Sequence, residues 1–127
     1  MNPLTLEWIE KAEGDFVTTQ RELKARRFPN YDAACFHAQQ MAEKYLKAFL
    51  QEKGLPVPRT HNLIELLTLS SSHDEAFLML RPDLVLLDRY AVRFRYPGET
   101  AIRNEAKAAL QSARAVRQFI RSRLGII

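Results

Sequence analysis

Two arginines and a tyrosine in the last third of the chain have the types and spacing best suited to bind an anion. Arg93, Arg95 and Tyr96 follow one another closely, just before Pro97. Arginine donates several N–H groups to phosphate oxygens, and a tyrosine ring can stack on a base. In the structural alternative, an arginine pairs with a carboxylate, Tyr96 packs its ring and Pro97 ends a helix. The sequence leaves both interpretations open.

Other polar residues extend this candidate surface. Lys44 and Lys47 share one side of a helical stretch, although a solvated helix face is the more common use of such a pair. Arg114 and Arg121 belong to a line of cations in the last helix. His61 can bind a ligand, but a hydrogen bond that fixes its own loop is the simpler role. We predict that these five residues add to a nucleotide- or RNA-binding surface.

Charge is distributed unevenly along the 127 residues. The whole chain carries a net charge of +4, yet the segment after residue 88 contains nine Lys or Arg and only two acidic residues, Glu99 and Glu105. A basic segment on a mildly acidic body favours an anionic partner such as a nucleotide, a nucleic acid or an acidic protein. A basic face that is merely solvated is the alternative.

Several classes of chemistry are excluded. His37, His61 and His73 are far apart, and Cys35 is the single cysteine, so no zinc-ligand spacing is present. The four glycines are isolated, which argues against a phosphate-binding glycine loop. We expect no metal, no cofactor and a buried Cys35 thiol in a reducing compartment. With no apolar signal segment at its N-terminus, the protein is predicted to be cytoplasmic.

The elements that must position these side chains all follow helical periodicity. Apolar residues recur at helical spacing, and no run of alternating β-branched residues occurs. Caps, glycines and prolines predict five helices, of which the first, second and fifth cover Leu6–Arg26, Asn30–Lys53 and Ala101–Leu124. The third begins at Thr60 or Asn62 and ends in the run Ser70–Ser72. The fourth is capped by Ser72, is divided by Pro82 and ends at Val92 or Arg93. We predict one all-α domain over residues 1–127, an up-and-down bundle of four to five helices.

The second of these helices has two different faces. One arc is apolar and belongs to the core. The opposite side, a candidate ligand surface, carries His37, Gln40, Lys44 and Lys47. Phe36 lies among polar positions, and Phe119 in the last helix lies outside the main apolar stripe. We predict that Phe36 and Phe119 contribute to a dimer interface.

Three local patterns occur in a fixed order along the chain. They are YDAACFHAQQMAEKYLKAFL from Tyr31, PRTHNL from Pro58 and YAVRFRYP from Tyr90. Together with Trp8 near the start and the alanine-rich last helix, they make the chain resemble the HEPN domain, the "higher eukaryotes and prokaryotes nucleotide-binding" family. The resemblance covers nearly the whole chain.

The resemblance implies a helical bundle that pairs into a homodimer, with a minimal nucleotidyltransferase as partner. Many such pairs are toxin–antitoxin modules. The ribonuclease branch of the family has an arginine followed after four to six residues by a histidine. No arginine of this chain has a histidine at that distance. The histidine of the motif, which would act as general acid or base near neutral pH, is therefore missing.

We therefore predict a homodimer that binds a nucleotide, RNA or the nucleotidyltransferase, and that is non-catalytic or weakly catalytic. One alternative is a ribonuclease toxin with a displaced active site built from Arg93, Arg95 and Tyr96. The other is a dimerisation scaffold whose basic surface is only solvated.

Overall fold

The computed structural model describes residues 1–127 as a bundle of α-helices without strands, which confirms the predicted fold class. Short 3-10 turns connect the later helices and cover Glu75–Leu80, Arg89–Ala91 and Arg93–Arg95. The five α-helices are α1 (Pro3–Lys24), α2 (Tyr31–Glu52), α3 (Leu63–His73), α4 (Arg81–Asp88) and α5 (Arg103–Arg123).

α1 begins and ends earlier than its apolar pattern predicted. The Asn2 side chain accepts a hydrogen bond of 2.8 Å from the Leu4 N–H, and Pro3 stands at the first helical position, where its missing N–H costs nothing. At the other end Ala25 is extended, so the helix stops at Lys24 rather than at Arg26. Local backbone signals thus outweigh the apolar stripe at both ends.

Asparagine caps start the next two helices as predicted. The Asn30 side chain accepts from the Ala33 N–H at 2.9 Å, and the Asn62 side chain accepts from the Ile64 and Glu65 N–H groups. Gly54 has a φ of +68°, a conformation that only glycine adopts without strain, and it ends α2. These signals are local, which is why the sequence shows them.

The boundary between α3 and the next segment differs from the prediction. Ser72 was expected to cap a fourth helix, but α3 continues through the serines to His73, and the Ser72 hydroxyl donates to the Leu69 carbonyl oxygen. Asp74 is the cap, and its side chain accepts from the Ala76 N–H at 3.1 Å. α4 also ends earlier, at Asp88, because the chain tightens there into 3-10 turns.

Two contacts fix the direction of the helices. Asp32 at the start of α2 accepts a hydrogen bond of 2.6 Å from the Ala101 N–H, just before α5, so α2 and α5 start at the same end of the bundle. The chain from Gly54 to Asn62 runs back along α2, since the Gln39 side chain bonds the His61 carbonyl oxygen. α3 then runs in the same sense as α2, so the helices do not alternate in direction along the chain as the predicted up-and-down order requires.

α2 is the central helix and packs against α1, α3, α4 and α5. Because neighbours surround it, even polar positions are buried, among them Gln39, Glu43 and Lys47. Lys47 is only 6% exposed. This corrects the picture of an open polar face, because much of that face is covered by other parts of the same chain.

Small side chains line the contact between α2 and α5. Ala38 and Ala42 on α2 and Ala109 and Ala113 on α5 are all fully buried, as expected for two closely approaching helices. Cys35 is a free, buried thiol in this core, and burial raises its pKa to about 12. A thiol with that pKa is a poor nucleophile, which agrees with the structural role predicted for it. No helix in the structure is long and apolar enough to span a membrane.

Candidate functional site

A groove at the end of the bundle where α2 and α5 begin holds an exposed cation of the predicted site. We call it the Arg95 groove. Its volume is about 370 Å³, and its lining residues are Asn30, Asp32, Ala33, Phe36, His37, Tyr90, Phe94 and Arg95. The Arg95 guanidinium lies over the Phe36 ring, 5.2 Å from its centroid, and forms no ion pair. Tyr96, beside the groove, is 68% exposed.

Arg93 has a different environment although it is only two residues away. Its Nη1 atom donates to Glu105 at 3.0 Å, and its Nε atom is 3.5 Å from Glu99. The guanidinium also covers Phe94, which stacks on Tyr90 at 5.6 Å. The structure therefore places Arg93 in the structural role that the sequence had left open. It orients the turn that displays Arg95.

A histidine that lines the same groove contacts a carboxylate on α1. The His37 Nδ1 atom is 2.7 Å from Asp15 Oδ1, and the Lys44 Nζ atom donates to Asp15 Oδ2 at 2.6 Å. An imidazole whose Nδ1–H bonds a carboxylate is held in one orientation, with Nε2 left as an acceptor in the neutral ring. Lys44 is therefore committed to Asp15, whereas His37 presents a free nitrogen.

Lys47 and His61 both interact with a second carboxylate, that of Glu43. Lys47 donates to Glu43 Oε2 at 3.1 Å, and His61 Nδ1 is 2.9 Å from Glu43 Oε1. Lys47 also lies 5.6 Å from the centre of the Trp8 ring. The His61 side chain is 75% exposed, but its hydrogen bond ties the linker to α2. This is the loop-fixing role that the sequence offered as the simpler one for His61.

The remaining candidates line a larger groove of about 740 Å³ between α1 and α5, which we call the α5 groove. Arg114 is exposed there and forms no ion pair, whereas Arg117 binds Glu13 through two N–H groups at 2.7 and 2.6 Å. Arg121 donates to the Tyr45 hydroxyl at 3.1 Å, and that hydroxyl donates to Glu13 at 2.7 Å. One carboxylate thus organises two of the three arginines.

The titration behaviour of this cluster follows from its contacts. The hydrogen bonds from Arg117 hold the pKa of Glu13 below its usual value, and the Glu13 carboxylate in turn raises the pKa of Arg117. Burial raises the pKa of Tyr45 to about 12. Glu13 is therefore charged and Tyr45 neutral across the physiological range.

The two predicted dimer residues lie far apart in one chain. Phe119 contacts Phe77 edge to face at 5.0 Å, and Phe77 contacts Phe49 at 4.3 Å. Phe49 is thirteen residues along α2 from Phe36, or about 20 Å of helix. Both rings are half-buried within the chain itself. Phe36 and Phe119 therefore do not form one small patch, and their role in a dimer stays a prediction.

Sequence reasoning missed the acidic residues that partner the candidate cations. Glu13 and Asp15 are on α1 and Glu43 is on α2, each far in sequence from at least one of the side chains it binds. The only available signal was the position of Glu13 and Asp15 near the apolar stripe of α1. No group of three or more His, Cys, Asp or Glu side chains is arranged to hold a metal ion.

Two solved structures resemble the chain over nearly its full length. The crystal structure of TT1696 from Thermus thermophilus is 26% identical, with a TM-score of 0.80, and the match covers 93% of this chain and 96% of that one. For ST0689, described as an archaeal HEPN homologue, the identity is 24%, the TM-score 0.73 and the coverage 94% and 96%. The second likeness shows the fold alone. No curated protein matches the chain.

The family model described as "HEPN domain" matches residues 5–123, which include the Arg95 groove and all of the five helices except the first two residues of α1. The resemblance noted in the three sequence patterns is thereby confirmed. The chain belongs to the HEPN domain family.

Proposed function

We propose that the protein is a homodimer that binds a nucleotide or RNA through the Arg95 groove. Its proposed partner is a minimal nucleotidyltransferase, and the two proteins form a two-gene, toxin–antitoxin-like module. The observation that carries the binding proposal is the unpaired Arg95 guanidinium over Phe36. An arginine held on an aromatic face keeps its N–H groups available for phosphate oxygens. The volume of the groove is in the range of small-molecule sites.

The distribution of unpaired cations supports a phosphate ligand. Among the basic residues after residue 88, carboxylates engage Arg93, Arg117, Arg121 and Arg123. The others form no ion pair, and those on α5 are Arg103, Lys107 and Arg114. α5 begins beside the Arg95 groove, so a longer strand would meet these cations as it left the groove. Arg114 is about 16 Å from Arg103 along the helix.

Replacing Arg95 tests this proposal. We expect Arg95→Ala to weaken binding of a short fluorescein-labelled RNA by about tenfold and to lower the salt dependence by about one counterion, because one phosphate contact is lost. Fluorescence anisotropy at several salt concentrations measures both. Arg59→Ala is the matched control, since Arg59 is also exposed and unpaired but lies in the linker after α2. Equal affinities of the two variants would contradict the proposal.

A ribonuclease is the second candidate function, and one observation favours it. His37, oriented by Asp15, lines the same groove as Arg95, so a proton acceptor and a phosphate-binding group share one site. The displaced set would then include His37 rather than only Arg93, Arg95 and Tyr96. The RNA recovered from the anisotropy samples discriminates the two functions. Cleavage that disappears in both Arg95→Ala and His37→Gln indicates the enzyme, and intact RNA indicates the binding protein.

The partner proposal has its own test. When the chain is co-expressed with a minimal nucleotidyltransferase encoded beside its gene, we expect the two proteins to co-purify through a tag on either one. Light scattering of the isolated chain should give the mass of a dimer, and Phe36→Ser should reduce it to that of a monomer. Failure to associate would remove the nucleotidyltransferase from the proposal without affecting nucleotide binding.

A further inference from the structure

The loop between α1 and α2 presents an aromatic ring to solvent. Phe28 is 95% exposed, more than any other aromatic side chain of the protein. Large apolar side chains are usually at least half-covered, and a fully solvated phenylalanine ring has no packing role in the chain that carries it. The fold does not need this ring.

The backbone at Phe28 adopts a conformation that a bulky residue normally avoids. Its φ is +50°, and no other non-glycine residue in the chain has a positive φ. The surrounding residues hold it there. Pro29 restricts the next φ, the Asn30 N–H donates to Glu22 at 3.0 Å, and the Asn30 side chain caps α2. The backbone that carries the ring is therefore held in place, and it directs the side chain toward solvent.

The charges beside Phe28 indicate what kind of partner the ring meets. Arg26 and Arg27 precede it, both without ion pairs, and no acidic residue lies between Ala25 and Asn30. An apolar protein pocket that took the ring would also have to desolvate these guanidinium groups. A nucleotide instead offers a flat base beside a phosphate. Aromatic rings interleaved with cations are the usual surface for single-stranded nucleic acids.

The loop is continuous with the Arg95 groove. Asn30 lines that groove, and it is two residues from Phe28, which places their Cα atoms at most about 7 Å apart. A strand with one phosphate at Arg95 would meet the Phe28 ring on leaving the groove at this side. The Arg95 guanidinium and the Phe28 ring then contact the same strand.

We propose that Phe28 stacks on a base of single-stranded RNA whose neighbouring phosphates bind Arg26 and Arg27. This rests on the proposed function of the Arg95 groove and extends it by a second subsite. It makes unpaired bases, rather than duplex RNA, the preferred ligand, because a base inside a duplex is not free to stack on the ring.

The test compares three substitutions at Phe28 with a short fluorescein-labelled oligoadenylate as the probe. Phe28→Ala should weaken binding about tenfold while the salt dependence is unchanged, because a stacking contact and no phosphate contact is lost. Phe28→Trp should retain the affinity. Phe28→Gly should raise the melting temperature, because glycine adopts a positive φ freely, and yet bind as weakly as Phe28→Ala.

Two controls separate stacking from other effects. Met79→Ala removes another exposed apolar side chain, 75% exposed and outside the loop, and should leave the affinity unchanged. In a Trp8→Phe background, Phe28→Trp leaves a single tryptophan, whose fluorescence should be quenched when oligoadenylate binds but not when it is mixed with preformed duplex RNA.

The outcomes distinguish this inference from the proposed function. If Arg95→Ala weakens binding but Phe28→Ala and Phe28→Gly bind as tightly as the unmodified protein, the stacking proposal is overturned and the groove proposal stands. If the unmodified protein binds no RNA, both fall. A Phe28→Ala variant that binds RNA normally but loses its dimer mass would show that the ring contacts protein, which also overturns the proposal.

Discussion

Glu43→Ala is expected to lower the free energy of unfolding by about 3 kcal/mol, since it removes one partner of a buried ion pair. Lys47 is 6% exposed, and without Glu43 its ammonium group would stay buried with no counter-charge. His61 would lose the bond that ties the linker to α2. Urea unfolding followed by circular dichroism measures the change, and a loss below about 1 kcal/mol would contradict it.

A double substitution separates the cost of a stranded charge from the value of the pair. Glu43→Leu combined with Lys47→Met fills a similar volume without any charge, and we expect it to recover most of the stability lost in Glu43→Ala. Glu10→Ala, at an exposed position of α1 without an ion pair, serves as the surface control and should change stability by less than about 0.5 kcal/mol. A double variant as unstable as the single one would show that the hydrogen bonds of Glu43, rather than its charge, dominate.

Glu13→Gln is expected to have two opposite effects. It weakens the two-bond contact with Arg117 and the Tyr45 hydrogen bond, so the free energy of unfolding should fall by about 2 kcal/mol at neutral pH. It also leaves the charge of Arg117, which lines the α5 groove, without its carboxylate partner. RNA binding should therefore strengthen, with a salt dependence that is steeper by about one counterion.

The pH dependence of stability gives an independent readout of Glu13. Because Arg117 lowers the pKa of Glu13 in the folded protein, its stabilising contribution is present above the pKa of the unfolded chain and is lost as the pH falls through the lower, folded value. Glu13→Gln should remove this part of the acid destabilisation. Glu10→Gln removes the same formal charge without releasing an arginine. An equal gain in RNA affinity in that variant would show that the change in net charge alone causes the gain.

Helix boundaries were predictable wherever one residue decides them. Asn30, Asn62 and Gly54 act within a few residues of their own positions, and all three have the predicted roles. Ser72 and Asp74 were not distinguishable because both have side chains that can cap a helix. Which of them does so depends on how far α3 extends along α2, and that is decided by packing.

The candidate site was predictable in its residue types but not in its pairing. Arg93 and Arg95 have the same chemistry and nearly the same place in the sequence, yet Glu99 and Glu105 engage only Arg93. Arg117 binds a carboxylate 104 positions away. Spacing along one helix indicates which cations share a face, whereas the acids that neutralise them come from other helices and appear only in the folded chain.

The hydrogen bond from the Ala101 N–H to Asp32 has a consequence for how this surface can diverge among related proteins. It holds the chain just before α5 against the start of α2. Residues 89–100 therefore form a loop that is fixed at one end by this bond and at the other by α4. Lengthening such a loop costs little, since each doubling adds only about 0.6 kcal/mol of closure entropy. Insertions and substitutions around Tyr96 can thus change what the groove recognises while the register of α5 against α2 stays the same. The part of the protein that meets a ligand can evolve separately from the part that folds.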